Sequence, residues 1–230
     1  SPPLISPKDK IWPEANWFRD WEVKAFRSES LNPNQKLGLY FEKTLHDWIE
    51  REPKLVLLAH NLKVNSKRGT LGEFDLIVRN ENSIEHWEIA VKFFLGIRNR
   101  KNIGHWIGPN PRDTLERKLD SLENRQIRLG DNPDAKRILE QKNIKIDSRR
   151  IIFKGRLFHP YKMFKTSRFE FPKDINLSHE KGWWLRWEEL DSHKELKNSS
   201  FKLLDKREWL AQLKTIDTEE MISFDELKDR

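Results

Sequence analysis

The sequence predicts an α/β fold, in which a helix, three strands, a second helix and a further strand follow one another along one elaborated domain. Three observations predict it. Apolar residues recur at helical spacing between Asn34 and Glu50; three strand-like runs lie between Lys54 and Leu95; and a leucine-spaced segment after Asp113 leads into an apolar run at Arg150–Phe158. A chain of 230 residues holds this order without requiring two domains.

The segments are read in order. Residues 1–33 form an aromatic-rich extension, with Trp12, Trp17, Phe18, Trp21 and Phe26 at roughly helical spacing. The core is expected over residues 34–190. Its first helix carries Leu37, Phe41, Leu45 and Trp48 on one stripe, and Gly38, Glu42, Leu45 and Ile49 on the adjoining one. Strands follow at Lys54–Val64, Glu73–Arg79 and Ile84–Leu95, and Asn80-Glu81-Asn82-Ser83 marks a tight hairpin between the last two. Asp113 is the expected N-cap of the second helix, where Leu115, Leu119 and Leu122 share one face and Gln126 continues the stripe. A strand at Lys181–Trp187 closes the core. Residues 191–230 read as a C-terminal helical extension, with a short helix around Arg207–Leu213.

Composition narrows the function. The net charge of +7 favours a polyanionic partner. There is no cysteine, which removes disulfides, thiolate metal sites and cysteine nucleophiles together and fits a reducing compartment. The seven histidines show no His-Glu-x-x-His spacing, and no glycine-rich phosphate loop is present. No apolar run is long enough to span a membrane, and the Ser1–Pro7 start lacks the basic and apolar regions of a signal peptide. The cytoplasm is the expected location.

Strand parity then singles out a site. On the third strand Trp87, Ile89, Val91, Phe93 and Leu95 share an apolar face, while His86, Glu88, Ala90, Lys92 and Phe94 share the other. On the second, Phe74, Leu76 and Val78 are expected on the apolar face, with Glu73 and Asp75 opposite. A hairpin places both polar faces together. Two crowded carboxylates would be relieved by a hard divalent cation, Mg²⁺ or Mn²⁺, which polarises phosphoryl oxygens and activates water. By pattern alone, the same face also suits a solvated hairpin whose charges pair across strands.

Gly72-Glu73-Phe74-Asp75-Leu76-Ile77, followed after the hairpin by Glu88-Ile89-Ala90-Val91-Lys92, resembles the core motif of the PD-(D/E)xK nuclease superfamily. From Leu37 to Trp184 the chain also resembles a bacterial family known as domain of unknown function 1853, grouped with that superfamily. The segments carrying this second resemblance are Leu37 to Glu42, Gly72 to Leu76, Glu88 to Gly96, Trp106 to Asn110, Gly155 to Phe158 and Gly182 to Trp184.

The resemblance implies a restriction-endonuclease-like αβββαβ core with N- and C-terminal additions. It also implies hydrolysis of nucleic-acid phosphodiesters, DNA first among them. Asp75, Glu88 and the Ala90 carbonyl would hold Mg²⁺ or Mn²⁺, with Glu42 ligating directly or through water. Gln126 would face the site, and Lys92 would be the catalytic cation. One departure stands out. The superfamily's Glu-x-Lys would put lysine at position 90, but the chain has Ala90 there; Lys92 keeps the face but lies about 6.6 Å further along the strand. Lys118 is the fallback cation. A nucleic-acid-binding module without catalysis, or a subunit of a larger complex, are the alternatives.

Overall fold

The computed structural model describes residues 3–6, 36–81, 83–205, 208–210 and 221–230. Helix α1, Leu37–Ile49, buries Leu45 and Ile49 and stops ahead of Pro53, whose ring disfavours helical geometry in the residue before it. Strands β1 (Leu55–Ser66), β2 (Gly69–Asn80) and β3 (Ser83–Gly96) form an antiparallel meander, with hairpin closures at Ser66↔Gly69 and Asn80↔Ser83. A two-residue strand β4, Trp106–Ile107, pairs with the end of β3. After helices α2 (Leu115–Ser121) and α3 (Pro133–Gln141), strand β5 (Ser148–Pro160) runs parallel to β3, and β6 (Lys181–Trp184) runs parallel to β5. The result is one mixed six-stranded sheet of order β1-β2-β3-β5-β6, with β4 off the path.

Both faces of the sheet are covered. On one, Leu45 and Ile49 of α1 pack with Leu76, Val78, Trp87, Ile89 and Ile152. On the other, Leu115, Leu119 and Leu122 pack with Ala90, Phe94, Ile151 and Phe153, while α3 adds Ala135 and Leu139 around Val64, Phe74 and Ile77. At the start of β3 a buried Glu85 accepts from Trp87 Nε1 at 2.7 Å and from Arg150 Nε at 2.9 Å, tying β3 to β5. Leu4 and Ile5, fully buried, lie against β5 through a Leu4 N–H bond to the Phe153 carbonyl at 2.8 Å. Among the described residues no helix is long and apolar enough to cross a membrane.

Several expectations need correction. The α2 N-cap is Thr114, whose Oγ1 accepts from the Arg117 N–H at 3.2 Å; Asp113 lies one residue earlier, in a tight loop. Helix α3 was not anticipated, although Asn132 caps it and Pro133 occupies its first turn. Strand β6 ends at Trp184 rather than Trp187, because its partner β5 ends at the Pro160↔Trp184 pair. Phe74 does not share a face with Leu76. It packs with Ile77 and against the His86 ring, whereas Leu76 and Val78 lie under α1. The switch occurs at Asp75, opposite Asn61, which has a φ of 49° between the His60↔Leu76 and Leu62↔Phe74 pairs. The aromatic segment from Trp12 to Phe26 lies outside the described residues. Of the expected Arg207–Leu213 helix, only a 3-10 turn at Glu208–Leu210 is described.

Gly155 lies beside Lys92 in the β3–β5 ladder, and a Cβ there would sit 1.9 Å from the Lys92 carbonyl oxygen. Gly155→Ala must therefore push two backbones apart. We expect it to lower unfolding free energy by about 1–3 kcal/mol, read as a lower urea midpoint at unchanged slope.

Candidate active site

The site begins where a ladder ends. Pairing between β2 and β3 runs from Asn80↔Ser83 to Leu76↔Trp87 and stops; beyond it β2 stays with β1, and β3 stays with β5. Asp75 and Glu88 would be the next pair. Instead Asp75 turns into the gap, and its Oδ2 accepts from the Ile89 N–H at 2.8 Å, capping a backbone donor that another β2–β3 rung would have used. The gap also explains how helices on opposite faces reach one place. Glu42 comes from α1 on one side, and Gln126 and Lys118 come from the α2 side.

Glu88 has no exposed surface. Its Oε1 lies 2.8 Å from His86 Nε2, and its Oε2 accepts from Gln126 Nε2 at 2.9 Å. Gln126 is itself held through Oε1, which accepts from Lys118 Nζ at 3.0 Å and from Ser121 Oγ at 3.2 Å. Gln126 closes a wide π turn over Leu122–Gln126, in which the Ile127 N–H bonds to the Leu122 carbonyl. Such burial rules out the solvated hairpin face. Burial also holds His86 neutral by pushing its pKa down to about 4, and its tautomer sets which of Nε2 and the Glu88 carboxyl donates in their hydrogen bond.

The acids are electrostatically crowded. Burial, then the charge of Glu88, raises Asp75 to about 7; burial raises Glu88 to about 8, against the opposing pull of Lys118. Burial, then Asp75, raises Glu42 to about 7, and Asn61 offsets part of this with a hydrogen bond. Three carboxyls titrating near neutrality form a set that a divalent cation would relieve. The three are not a closed trio, however. Among the described residues the one His/Asp/Glu group with ligand atoms within 4.8 Å of one another is His46, Asp47 and Glu50, further along α1.

The lysines divide differently from expectation. Lys92 Nζ donates to Asp113 Oδ2 at 2.5 Å, so that its charge is engaged by the loop before α2. Lys118 is the cation that Asp75 and Glu88 both feel, and burial, then Lys92, lowers its own pKa. Ala90 is a packing position, 6% exposed within the apolar cluster under α2. The structure thus brings Asp75, Glu88, Glu42 and Gln126, each singled out in the sequence, to one gap; the gap itself was not foreseen from the sequence. Sequence reading underweighted His86, whose position two residues before Glu88 was the available signal, and it missed Asn61 and Ser121, which carry no pattern of their own.

These features define a mixed α/β protein with a buried carboxylate cluster at a split in its sheet. The chain belongs to the family described as Domain of unknown function (DUF1853), the match running over residues 5–229. Neither a curated protein nor a solved structure matches the chain.

The raised carboxyls give a pH signature. Their unfolded values lie near 4, so the stability they contribute is present at low pH and lost as pH rises through about 7–8. The buried histidines, lowered to about 4, act the other way while their unfolded forms lose protons around pH 6.5, and Lys154, lowered to about 8, does so at the upper end of the range. In chelator, the melting temperature of wild type should therefore fall relative to that of Glu88→Gln between pH ~6.5 and ~8; parallel pH profiles in the two proteins would refute this account.

Proposed function

We propose that this protein is a divalent-metal-dependent nuclease with a restriction-endonuclease-like, PD-(D/E)xK-type core, hydrolysing nucleic-acid phosphodiesters and DNA in the first place. The observation that carries the reading is the convergence of Asp75, Glu88 and Glu42, all with raised pKa values, at the gap where β2 and β3 part. The order α1-β1-β2-β3-α2-β5, with β4 and α3 inserted, supports it.

The donor set is all oxygen and fits Mg²⁺ or Mn²⁺ better than a thiophilic metal. Asp75 and Glu88 would hold the ion, the Ala90 carbonyl would add a further oxygen, and Glu42 would hold an intervening water. A bound ion would polarise a phosphoryl oxygen and make a water acidic. His86 and Gln126 fix both Glu88 oxygens, so the carboxylate presents one geometry rather than a rotamer mixture. Lys118, rather than Lys92, supplies the positive charge at Nζ for the negative charge that develops on the phosphorane-like transition state. It reaches the acids from α2 and takes the role that the lysine-free position 90 cannot.

The competing reading, a nucleic-acid-binding module without catalysis, draws on Ala90 and on the engagement of Lys92 by Asp113. Two measurements separate them. With Mg²⁺ or Mn²⁺ the wild-type chain should cut single-stranded, duplex, branched or RNA substrates, and Asp75→Asn or Glu88→Gln should abolish cutting without loss of fold; failure on every substrate sinks the enzyme reading. Mg²⁺ titrated at pH 8 should raise the melting temperature of wild type but not of Asp75→Asn. Lys118→Met should lower kcat by about 10²-fold or more, and Lys92→Met by less. The reverse ranking would return the role to Lys92.

A further inference from the structure

Three open depressions adjoin one another beside the candidate site, which they touch at Lys118 and Glu42. The first, of about 340 Å³, is lined by Arg112, Arg117 and Lys118 on the α2 side and also by Asn110 and Asp113. Asn110 and Asp113 line a second, of about 470 Å³, which passes Lys36 and Lys92 and reaches Leu39 and Glu42 on α1. Leu39 and Glu42 in turn line a third, of about 300 Å³, together with His46 and His60. Each shares two residues with the next, so they form one trough, with Glu42 at a junction and cationic side chains along its length.

We infer that this trough seats an extended polynucleotide strand, and that Arg112 and Arg117 hold its backbone phosphates on the α2 side of the reacting centre. Both arginines are exposed, and among the described residues neither is ion-paired. Arg117 is oriented by a bond from Nη1 to the Arg112 carbonyl at 2.9 Å, which leaves the rest of a five-donor guanidinium for a ligand. Guanidinium groups match phosphate oxygens in paired geometry and outcompete ammonium groups as phosphate clamps. A mononucleotide would fill one depression of this size; three adjoining ones, with basic side chains on both sides of Glu42, suit a chain of phosphates. The net charge of +7 draws such a polyanion to the surface without choosing the face. The trough makes that choice. The inference rests on the nuclease reading only for where the reacting phosphate lies.

The test uses the full chain carrying Asp75→Asn, in EDTA, with fluorescein-labelled single strands of DNA and of RNA, and anisotropy read across a salt series. Arg112→Gln combined with Arg117→Gln should weaken binding about tenfold and reduce the salt slope by about 1.4, the amount expected for two lost single-strand phosphate contacts. Lys194→Gln with Lys197→Gln, on the short helix Lys194–Lys197, should change neither. Preference for one of the two strands assigns the sugar, and melting curves report that both variants remain folded. Unchanged affinity and slope in the arginine variant, equal losses in the two variants, or no binding of either strand would overturn the trough.

Cleavage assays with the Asp75 side chain intact keep the two ideas apart. A protein that cuts nucleic acid with wild-type KM despite the arginine substitutions retains the nuclease reading and loses the trough. Arginine-dependent binding by a protein that cuts neither strand does the opposite.

Discussion

The end of the β2–β3 ladder at Leu76↔Trp87 is the constraint on which the rest of the site depends. Had pairing continued, Asp75 and Glu88 would have faced each other across a closed sheet, and the Ile89 N–H would have gone to a β2 carbonyl. Parting the strands at that rung leaves a backbone donor for Asp75 to cap and opens a gap that side chains from both faces can enter. Asn61, in left-handed geometry opposite Asp75, lets β2 change the face its side chains present, which sends Phe74 under α3 while Leu76 stays under α1. A sheet irregularity of this kind re-aims one side chain at little cost to the strands beside it.

The acids gathered there oppose folding. Ionised carboxyls in a buried setting lose hydration that neighbouring carboxylates cannot replace, and the rise of Asp75 and Glu88 to about 7 and 8 expresses that cost. Stability comes from elsewhere: from fully buried Trp87, Phe74, Phe94 and Phe153, and from the Glu85–Arg150 pair that fastens β3 to β5. The local hydrogen-bond partners partly compensate. His86 and Gln126 each satisfy one Glu88 oxygen, and Lys118 balances charge through Gln126. A carboxylate held this firmly on a rigid strand is a poor structural element, and under the proposed nuclease reading it would serve as a precise metal ligand.

Much of the fold was legible because burial patterns were strong. Alternation in Trp87–Leu95 gave β3 its two faces, and the leucines at 115, 119 and 122 gave α2 its buried side. Less legible features were those with a weak or misleading local signal. Asp113 has the chemistry of a cap, yet Thr114 takes that place and Asp113 binds Lys92 instead. The Phe74 side chain follows strand parity only if the strand is regular, and nothing in Gly72–Leu76 announces that it is not. Lys92 keeps the correct face, but a face does not say which way a four-carbon stem bends or which acid captures it.

By itself the sequence determined the α/β class, the strands that carry Asp75 and Glu88, and the family to which the chain belongs, because side-chain periodicity and local motif are properties of neighbouring residues. The tertiary structure alone decided that Glu88 is fully enclosed, that Lys118 rather than Lys92 balances the two acids, and that Glu42 and Gln126 arrive at one gap from opposite faces. Each of those facts depends on residues tens of positions apart meeting where two strands separate. No local pattern encodes where a ladder stops, since that depends on how β2 and β3 diverge after the Leu76↔Trp87 rung, a property of the whole sheet.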